Sequence, residues 1–252
     1  YNTRVGSDIS MQRLQQDNDA VVLAIGLWLG RSTRIPGSDH CNVFKAVDLL
    51  HRIRDGETIA APESMVVIGG GNVAMDIARS MARLQKQQHG KIAITLTALE
   101  DQAHFLADPV EIKEAIEEEI DILDSRGPQE CITDDEDRLI GLRTWKVLSI
   151  FDEQHRFAPT YDESDEQMHE GEWVIEAIGQ MSDVSLLGEE LTEQLEWNRG
   201  RIQVDDDGRT SEPWLWAAGD CVKGPDVVSA VATGHKVAAS IESAFAKQKA
   251  QA

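Results

Sequence analysis

The sequence lacks most of what would mark a redox dithiol, a metal site or a membrane protein. Its three cysteines, Cys41, Cys131 and Cys221, stand far apart and form no C-x-x-C pair. That excludes a local redox dithiol and a metal site framed by neighbouring cysteines, and it fits a reducing, cytoplasmic setting. Each cysteine is expected to be an inert small core residue. The seven histidines (His40, His51, His89, His104, His155, His169 and His235) show no metal-ligand spacing, and no G-x-S-x-G elbow is present. His235, inside a helical stretch, is expected to pack rather than to catalyse. No metal site and no catalytic side chain is therefore assigned. The longest apolar run, residues 20–29, is too short to span a bilayer, and no charged-then-apolar leader is seen. Basic residues are scarce: 24 against 45 acidic ones, a net charge of −21. Such a charge repels nucleic acid and anionic membranes, so neither is an expected partner.

What is present is a chain of 252 residues, 41% hydrophobic and 27% charged, which predicts a soluble globular protein of one large or two smaller domains. It opens on Tyr1 rather than Met, and an excised or processed fragment is expected. Residues 20–25 are continuously apolar, as in a strand buried on both faces, and stop at Gly26. A helix is predicted over about 45–54 and a strand over 65–68. From Asn72 to about Gln88 the apolar residues Val73, Ile77, Met81 and Leu84 recur at helical spacing, and Gly90 ends the run. A strand over 92–99 completes a βαβ unit, which requires a parallel sheet and a right-handed crossover.

Further on, residues 109–122 read as an acidic helix, with Glu117, Glu118 and Glu119 as a solvated face. Residues 139–151 alternate like a strand, 152–171 form a hairpin or excursion, and 173–178 form a strand ending at Gly179. A short hairpin is predicted over 201–204, turning at 205–208 by an Asp-Gly pair. Residues 214–218 form a strand that runs into Gly219 and Asp220. A closing helix over about 227–245 has Val228, Val231, Val237 and Ile241 as expected core positions, and the tail 247–252 is expected to fray.

The stretch MVVIGGGNVAMD, residues 65–76, carries the most chemistry. Gly69 permits a tight exit from the strand, Gly71 lets backbone approach a pyrophosphate, and the small Ala74 lets helix and sheet pack closely. The turn Gly69, Gly70, Gly71, Asn72, Val73 and Ala74 would aim free N–H groups and the positive end of the helix dipole at phosphates. The second strand ends Leu99-Glu100-Asp101. A carboxylate there accepts hydrogen bonds from ribose hydroxyls and repels a 2′-phosphate, so Glu100 argues for NAD(H) over NADP(H). Asp101 takes that role if the strand ends one residue later. Asp220, delivered at the carboxyl end of a buried strand, can bind a polyol hydroxyl of a flavin, with the following helix aiming its dipole at the ring.

Four stretches, AIGLWLGRSTRIPGSD (24–39), VVIGGGNVAMDIARSMARL (66–84), WVIEAIGQ (173–180) and LWAAGDCVKGPDVVSAVATGHKVAASI (215–241), occur in this order. Together they resemble the C-terminal part of glutamate synthase small-subunit-like oxidoreductases, over nearly the whole chain. The resemblance implies an α/β fold of the two-dinucleotide-binding-domain flavoprotein type, a Rossmann-like NAD(P)-binding domain inserted into a truncated FAD-binding domain. It implies a partial FAD-domain segment over 1–56, an NAD(P)H-binding domain over 57–179 and a closing FAD-domain segment over 180–252. Gly219 and Asp220 match the flavin-contacting residues, and Gly179 with Gln180 matches the hinge near the nicotinamide.

In that family hydride passes from NAD(P)H to FAD, and electrons leave through iron–sulfur clusters to an electron-accepting subunit or fused domain. The cofactors implied are NAD(H), FAD in the full-length protein, and clusters outside this chain. Cofactors carry such chemistry while the protein orients them. This sequence departs from the family where Leu99-Glu100-Asp101 stands in place of the Tyr-Arg-Arg of many members, and where Glu119 replaces a glycine. It also lacks the family's N-terminal FAD phosphate turn and cysteine-rich domain, so the fragment is expected to bind NADH, to hold FAD poorly and to be inactive alone. The alternative is a non-catalytic nucleotide-binding or interaction module.

Overall fold

The computed structural model describes residues 1–251, with side chains through residue 246. In chain order the elements are α1 (Met11–Asp17), β1 (Val21–Leu23), β2 (Leu29–Gly30), β3 (Val43–Lys45), α2 (Ala46–Arg54), β4 (Met65–Ile68), α3 (Asn72–His89) and β5 (Ile94–Thr97). Then come α4 (Pro109–Glu117), β6 (Asp121–Leu123), β7 (Arg126–Thr133), β8 (Leu139–Phe151), β9 (Phe157–Glu170) and β10 (Trp173–Glu176). The chain closes with β11 (Gln180–Met181), α5 (Gly188–Gln194), β12 (Trp197–Asn198), β13 (Arg201–Ile202), β14 (Leu215–Ala217) and α6 (Val227–Gln251). The expectation for the tail 247–252 lies outside the described residues, apart from the backbone of α6. Two compact units result: residues 30–179, and residues 1–29 with 180–252. Residues 30–56 thus belong to the unit that carries the glycine turn.

That unit is built on a parallel sheet ordered β3-β10-β4-β5-β6. The central strand β4 is buried along its whole length, which explains why its sequence is apolar without alternation. Its two faces nevertheless separate with period two. Met65 and Val67 pack with Leu49 of α2 and Met75, Ile77 and Met81 of α3. Val66 and Ile68 pack with Cys131, Leu139 and Leu142 of an antiparallel meander, β7-β8-β9. The unit is therefore three layers, and each fully buried aliphatic side chain contributes about 1.5–3 kcal/mol. Helix α3 ends as its sequence predicts, at Gly90 in the left-handed conformation (φ 73°).

Several expectations need correction. Helix α4 stops at Glu117, and Glu119 turns the chain with φ 61°, so that residues 121–123 become strand β6. The apolar Ile120 and Ile122 pass from an expected helix face to the sheet core. Glu118 is not part of a solvated face: burial alone would raise its carboxyl, but Arg83 and Arg79 donate to it at 2.6 and 3.3 Å and together with their charges hold it below the usual range. Strand β7 carries no periodicity that would announce it, and the polar residues 157–170 are one long strand of a hairpin. Helices α1 and α5 and the short β3 also went unread. Cys41 is exposed, whereas Cys131 and Cys221 are buried; burial pushes the Cys131 thiol up to about 11.

At the root of the meander the buried Thr144 hydroxyl meets His169 Nε2 at 2.8 Å. Burial first, and the Arg126 guanidinium second, hold the His169 imidazole below the usual histidine range. The fold thus disfavours this proton. The stability tied to the neutral ring is complete above the unfolded pKa of about 6.5 and falls as pH drops below it. The melting temperature is expected to decline between about pH 7 and pH 5.5. The decline should be shallower in His169→Gln, which still offers Thr144 a partner; parallel slopes in circular-dichroism melts would refute this.

In the other unit β1 and β14 pair in parallel, Val21 with Leu215 through Leu23 with Ala217. Leu23, Leu187, Leu191, Ile202 and Leu215 form its core. The Asp-Gly turn forms as predicted, with Gly208 N–H donating to the Asp205 carbonyl at 3.1 Å. Strand β13, however, pairs with the preceding β12 rather than forward. Helix α6 packs through Val237, Ile241 and Ala244 against Trp216 and Ala218. Val228 and Val231, expected in the core, are 79% and 54% exposed because the first turns of α6 precede this contact. His235 is likewise exposed.

Candidate functional site

The glycine turn sits at the carboxyl end of β4, and each glycine answers a different constraint. Gly69 has φ 141°, and a Cβ there would lie 2.5 Å from the Ala177 carbonyl oxygen at the end of β10. Its N–H donates to the Thr97 carbonyl at 2.8 Å. A Cβ on Gly70 would lie 3.0 Å from both Ala98 Cβ and Glu100 Oε2, and its carbonyl accepts from Leu106 and Ala107. Gly71 is different: it is the N-cap of α3 at φ −102°, and a Cβ there would meet nothing within 4 Å. Among the described residues nothing requires glycine at this position. The space beyond it is open, and no side chain caps the amide end of α3 at Asn72 and Val73. Ala74 is fully buried beneath the turn, and the Asn72 side chain accepts from Asp108 N–H at 2.7 Å.

Glu100 stands just past the end of β5 with its carboxylate beside Gly70. Asp101 is committed elsewhere: its carboxylate accepts from the N–H groups of Ala103 and His104 and meets His104 Nδ1 at 2.7 Å. Ring and backbone hydrogen bonds hold it below the usual carboxylate range, the His104 ring first. Of the two acids, Glu100 alone faces the turn.

The carboxyl end of β10 holds a group that the sequence reading missed. Glu176 is 1% exposed, and its Oε1 accepts from Thr33 N–H at 2.6 Å, Thr33 Oγ1 at 2.5 Å and Ser32 Oγ at 3.2 Å. Its Oε2 pairs with Lys45 Nζ from the end of β3. An acid inside the apolar run WVIEAIG was the available signal. Gly179, φ 102°, ends this unit, and Gln180 opens β11.

In the other unit, Gly219 (φ 76°) leaves β14 with its N–H held by Thr233 Oγ1 of α6 at 2.9 Å. Asp220 Oδ1 is buried with no hydrogen-bond partner among the described residues. Beside it lies an open cleft of about 490 Å³ lined by Asp220, Pro225, Asp226, Val227, Ala230 and Val231. Asp220 thus brings a carboxylate to the cleft wall, and a hydroxyl-bearing ligand that reached its unpaired oxygen would relieve the cost of a buried acceptor left without a donor. Among the described residues no group of three or more His, Cys, Asp or Glu could hold a metal ion, and no helix is long and apolar enough to cross a membrane.

A parallel sheet with a glycine turn at the carboxyl end of its central strand, leading into a helix whose amide end no side chain caps, defines a dinucleotide-binding α/β fold. The family model described as pyridine nucleotide-disulphide oxidoreductase matches residues 7–235, and the chain belongs to that family. It is 31% identical to the NAD-dependent dihydropyrimidine dehydrogenase subunit PreT of Escherichia coli (strain K12), over 95% of this chain and 51% of that protein. It is 29% identical to the glutamate synthase (NADPH) small chain of Azospirillum brasilense, over 100% of this chain and 54% of that one. The chain thus spans about half the length of these relatives. Among solved structures it resembles FprA of Mycobacterium tuberculosis in complex with NADPH, with a TM-score of 0.73 at 16% identity, over 98% of this chain and 69% of that one. It also resembles T. acidophilum thioredoxin reductase, with a TM-score of 0.67 at 19% identity, over 90% of this chain and 66% of that one.

Proposed function

We propose that this chain is part of an NADH-dependent flavoprotein oxidoreductase whose electrons pass, through iron–sulfur centres outside the chain, to a partner subunit or fused domain. In this reading the unit of residues 30–179 binds the pyridine dinucleotide, and the unit of residues 1–29 and 180–252 contributes to a flavin site. The observation that carries it is the turn at Gly69–Gly71, whose last glycine opens onto space at the uncapped end of α3 beside the Glu100 carboxylate. The relatives support the class: both PreT and the glutamate synthase small chain bear names of subunits that use a nicotinamide cofactor.

When bound, the nicotinamide and flavin would supply hydride transfer, and the protein's task is placement. The N–H groups of Asn72 and Val73 with the α3 dipole bind the diphosphate, and Gly71 permits its approach. Glu100 accepts from the adenosine ribose hydroxyls. Gly179 and Gln180 flank the nicotinamide end, and the Asp220 carboxylate on the cleft wall, next to Gly219, accepts a flavin hydroxyl. No side chain need move a proton.

The names of the relatives divide between NAD and NADPH, so the cofactor choice rests on Glu100. Calorimetric titration is expected to show tighter binding of NADH than of NADPH. Glu100→Arg should shift the ratio toward NADPH by roughly tenfold or more, because it replaces repulsion of the 2′-phosphate with a guanidinium partner. Tighter NADPH binding by the unaltered chain would overturn the assignment.

A further inference from the structure

Sheet order decides which end of a dinucleotide lies where. Strand β5, with Glu100 three residues past its end at Thr97, lies on one side of β4, and β10 and β3 lie on the other. With the diphosphate at the β4 turn and the adenosine over β5, the nicotinamide half extends over the carboxyl ends of β10 and β3. The last residues of those two strands are Glu176 and Lys45, paired in register.

As a device for stability this pair is poorly chosen. Burying two charges costs desolvation, and apolar residues of similar volume commonly do as well or better. Its neighbours in β10, Val174 and Ile175, are fully buried and apolar. A leucine at 176 would fill the space, but it would not hold residues 31–34. That segment lies outside the sheet, and Arg34 takes φ 59°. Three of the four donors to Glu176 come from Ser32 and Thr33, and a second tie joins Arg31 N–H to the Gly179 carbonyl at 3.0 Å. Burial lowers the pKa of Lys45, opposed by nearby Asp48, so the ammonium depends on its acidic surroundings.

We propose that Glu176 is a positioning residue for the nicotinamide half of the dinucleotide: its buried carboxylate clamps residues 31–34 onto the carboxyl edge of β10 and β3, where they form one wall of that subsite. This rests on the dinucleotide reading above. It assigns Glu176 no contact with the hydride-transfer atoms and no proton.

Two double variants separate the clamp from the ion pair. K45M/E176L replaces the pair with apolar side chains and removes the acceptor for Ser32 and Thr33. K45M/E176Q removes the same charges but keeps an amide oxygen facing Thr33. Both are expected to melt as cooperatively as the unaltered chain. Calorimetry on the full 252-residue chain would use two probes: NADH, and ADP-ribose, which lacks the nicotinamide.

The unaltered chain should bind NADH more tightly than ADP-ribose. K45M/E176L should lose roughly tenfold in NADH affinity with ADP-ribose unchanged, and K45M/E176Q should retain NADH affinity. The proposal is overturned if the unaltered chain shows no preference for NADH, or if K45M/E176L binds NADH normally. It also fails if that variant loses both probes equally, as general loosening would cause, or if the glutamine variant fares no better than the leucine. Binding of neither probe by the unaltered chain would instead defeat the dinucleotide reading, and this inference with it.

Discussion

Gly71→Val is expected to abolish NADH binding while lowering the melting temperature by at most about a few degrees. The two halves of this result have separate causes. At φ −102° and ψ 174° the backbone suits any residue, and a Cβ meets nothing within 4 Å, so the folded protein has room for the valine. What it loses is a permissive helix cap, worth about 1 kcal/mol. The ligand has no such room. Branched methyls would stand where a diphosphate must approach the N–H groups of Asn72 and Val73. Hydrogen bonds to charged groups contribute about 1.5–3 kcal/mol each, so losing two of them weakens binding by at least about a hundredfold. Calorimetry paired with thermal melts checks both halves. An unchanged dissociation constant would show that no phosphate sits at this turn.

Gly69→Ala, two residues away, should fail in the opposite manner. The added methyl would lie 2.5 Å from the oxygen and 3.0 Å from the carbon of the Ala177 carbonyl, in a backbone at φ 141°. Neither side can yield cheaply, because Ala177 N–H also donates to the Ile68 carbonyl at 2.8 Å and ties β10 to β4. Relief of the clash means parting the two central strands of a sheet with no exposed face along β4. A cost of about 3 kcal/mol or more follows from combined overpacking and backbone strain, enough to lower the melting temperature by roughly 5 °C or more. Any loss of NADH binding should then track loss of fold. A variant that melts normally would mean that the turn is not pressed against β10.

Glycines and buried strands were legible in the sequence because their constraints are local. Met65–Ile68 is apolar at every position because both faces are covered, and α3 shows its period and its Gly90 stop within one window. Strand β7 was not legible, and β9 was legible only as a hairpin or excursion without its length, since a meander strand with one covered face can be polar through most of its length. The boundary between α4 and β6 was hidden because Ile116, Ile120 and Ile122 suit a helix face or a strand equally, and Glu119 gives no sign of its left-handed backbone. The exposed Val228 and Val231 misled because apolar spacing shows which face of a helix could pack, not where the packing begins. Glu176 is an acid in an apolar run, but its role was not legible because its partner Lys45 lies 131 residues earlier, and sequence spacing does not connect them.

The hydrogen bond from Arg31 N–H to the Gly179 carbonyl has a further consequence for how the chain comes together. It brings the two ends of the unit of residues 30–179 to within one bond of each other. Once that uninterrupted segment has folded, the rest of the chain experiences it as little more than a tight turn. Strands β1 and β14, far apart along the polypeptide, then pair with a small loop-closure entropy. The segment could fold first as it emerges during synthesis, and its adjoining ends would let it be moved between hosts or circularly permuted with little disturbance to its neighbours.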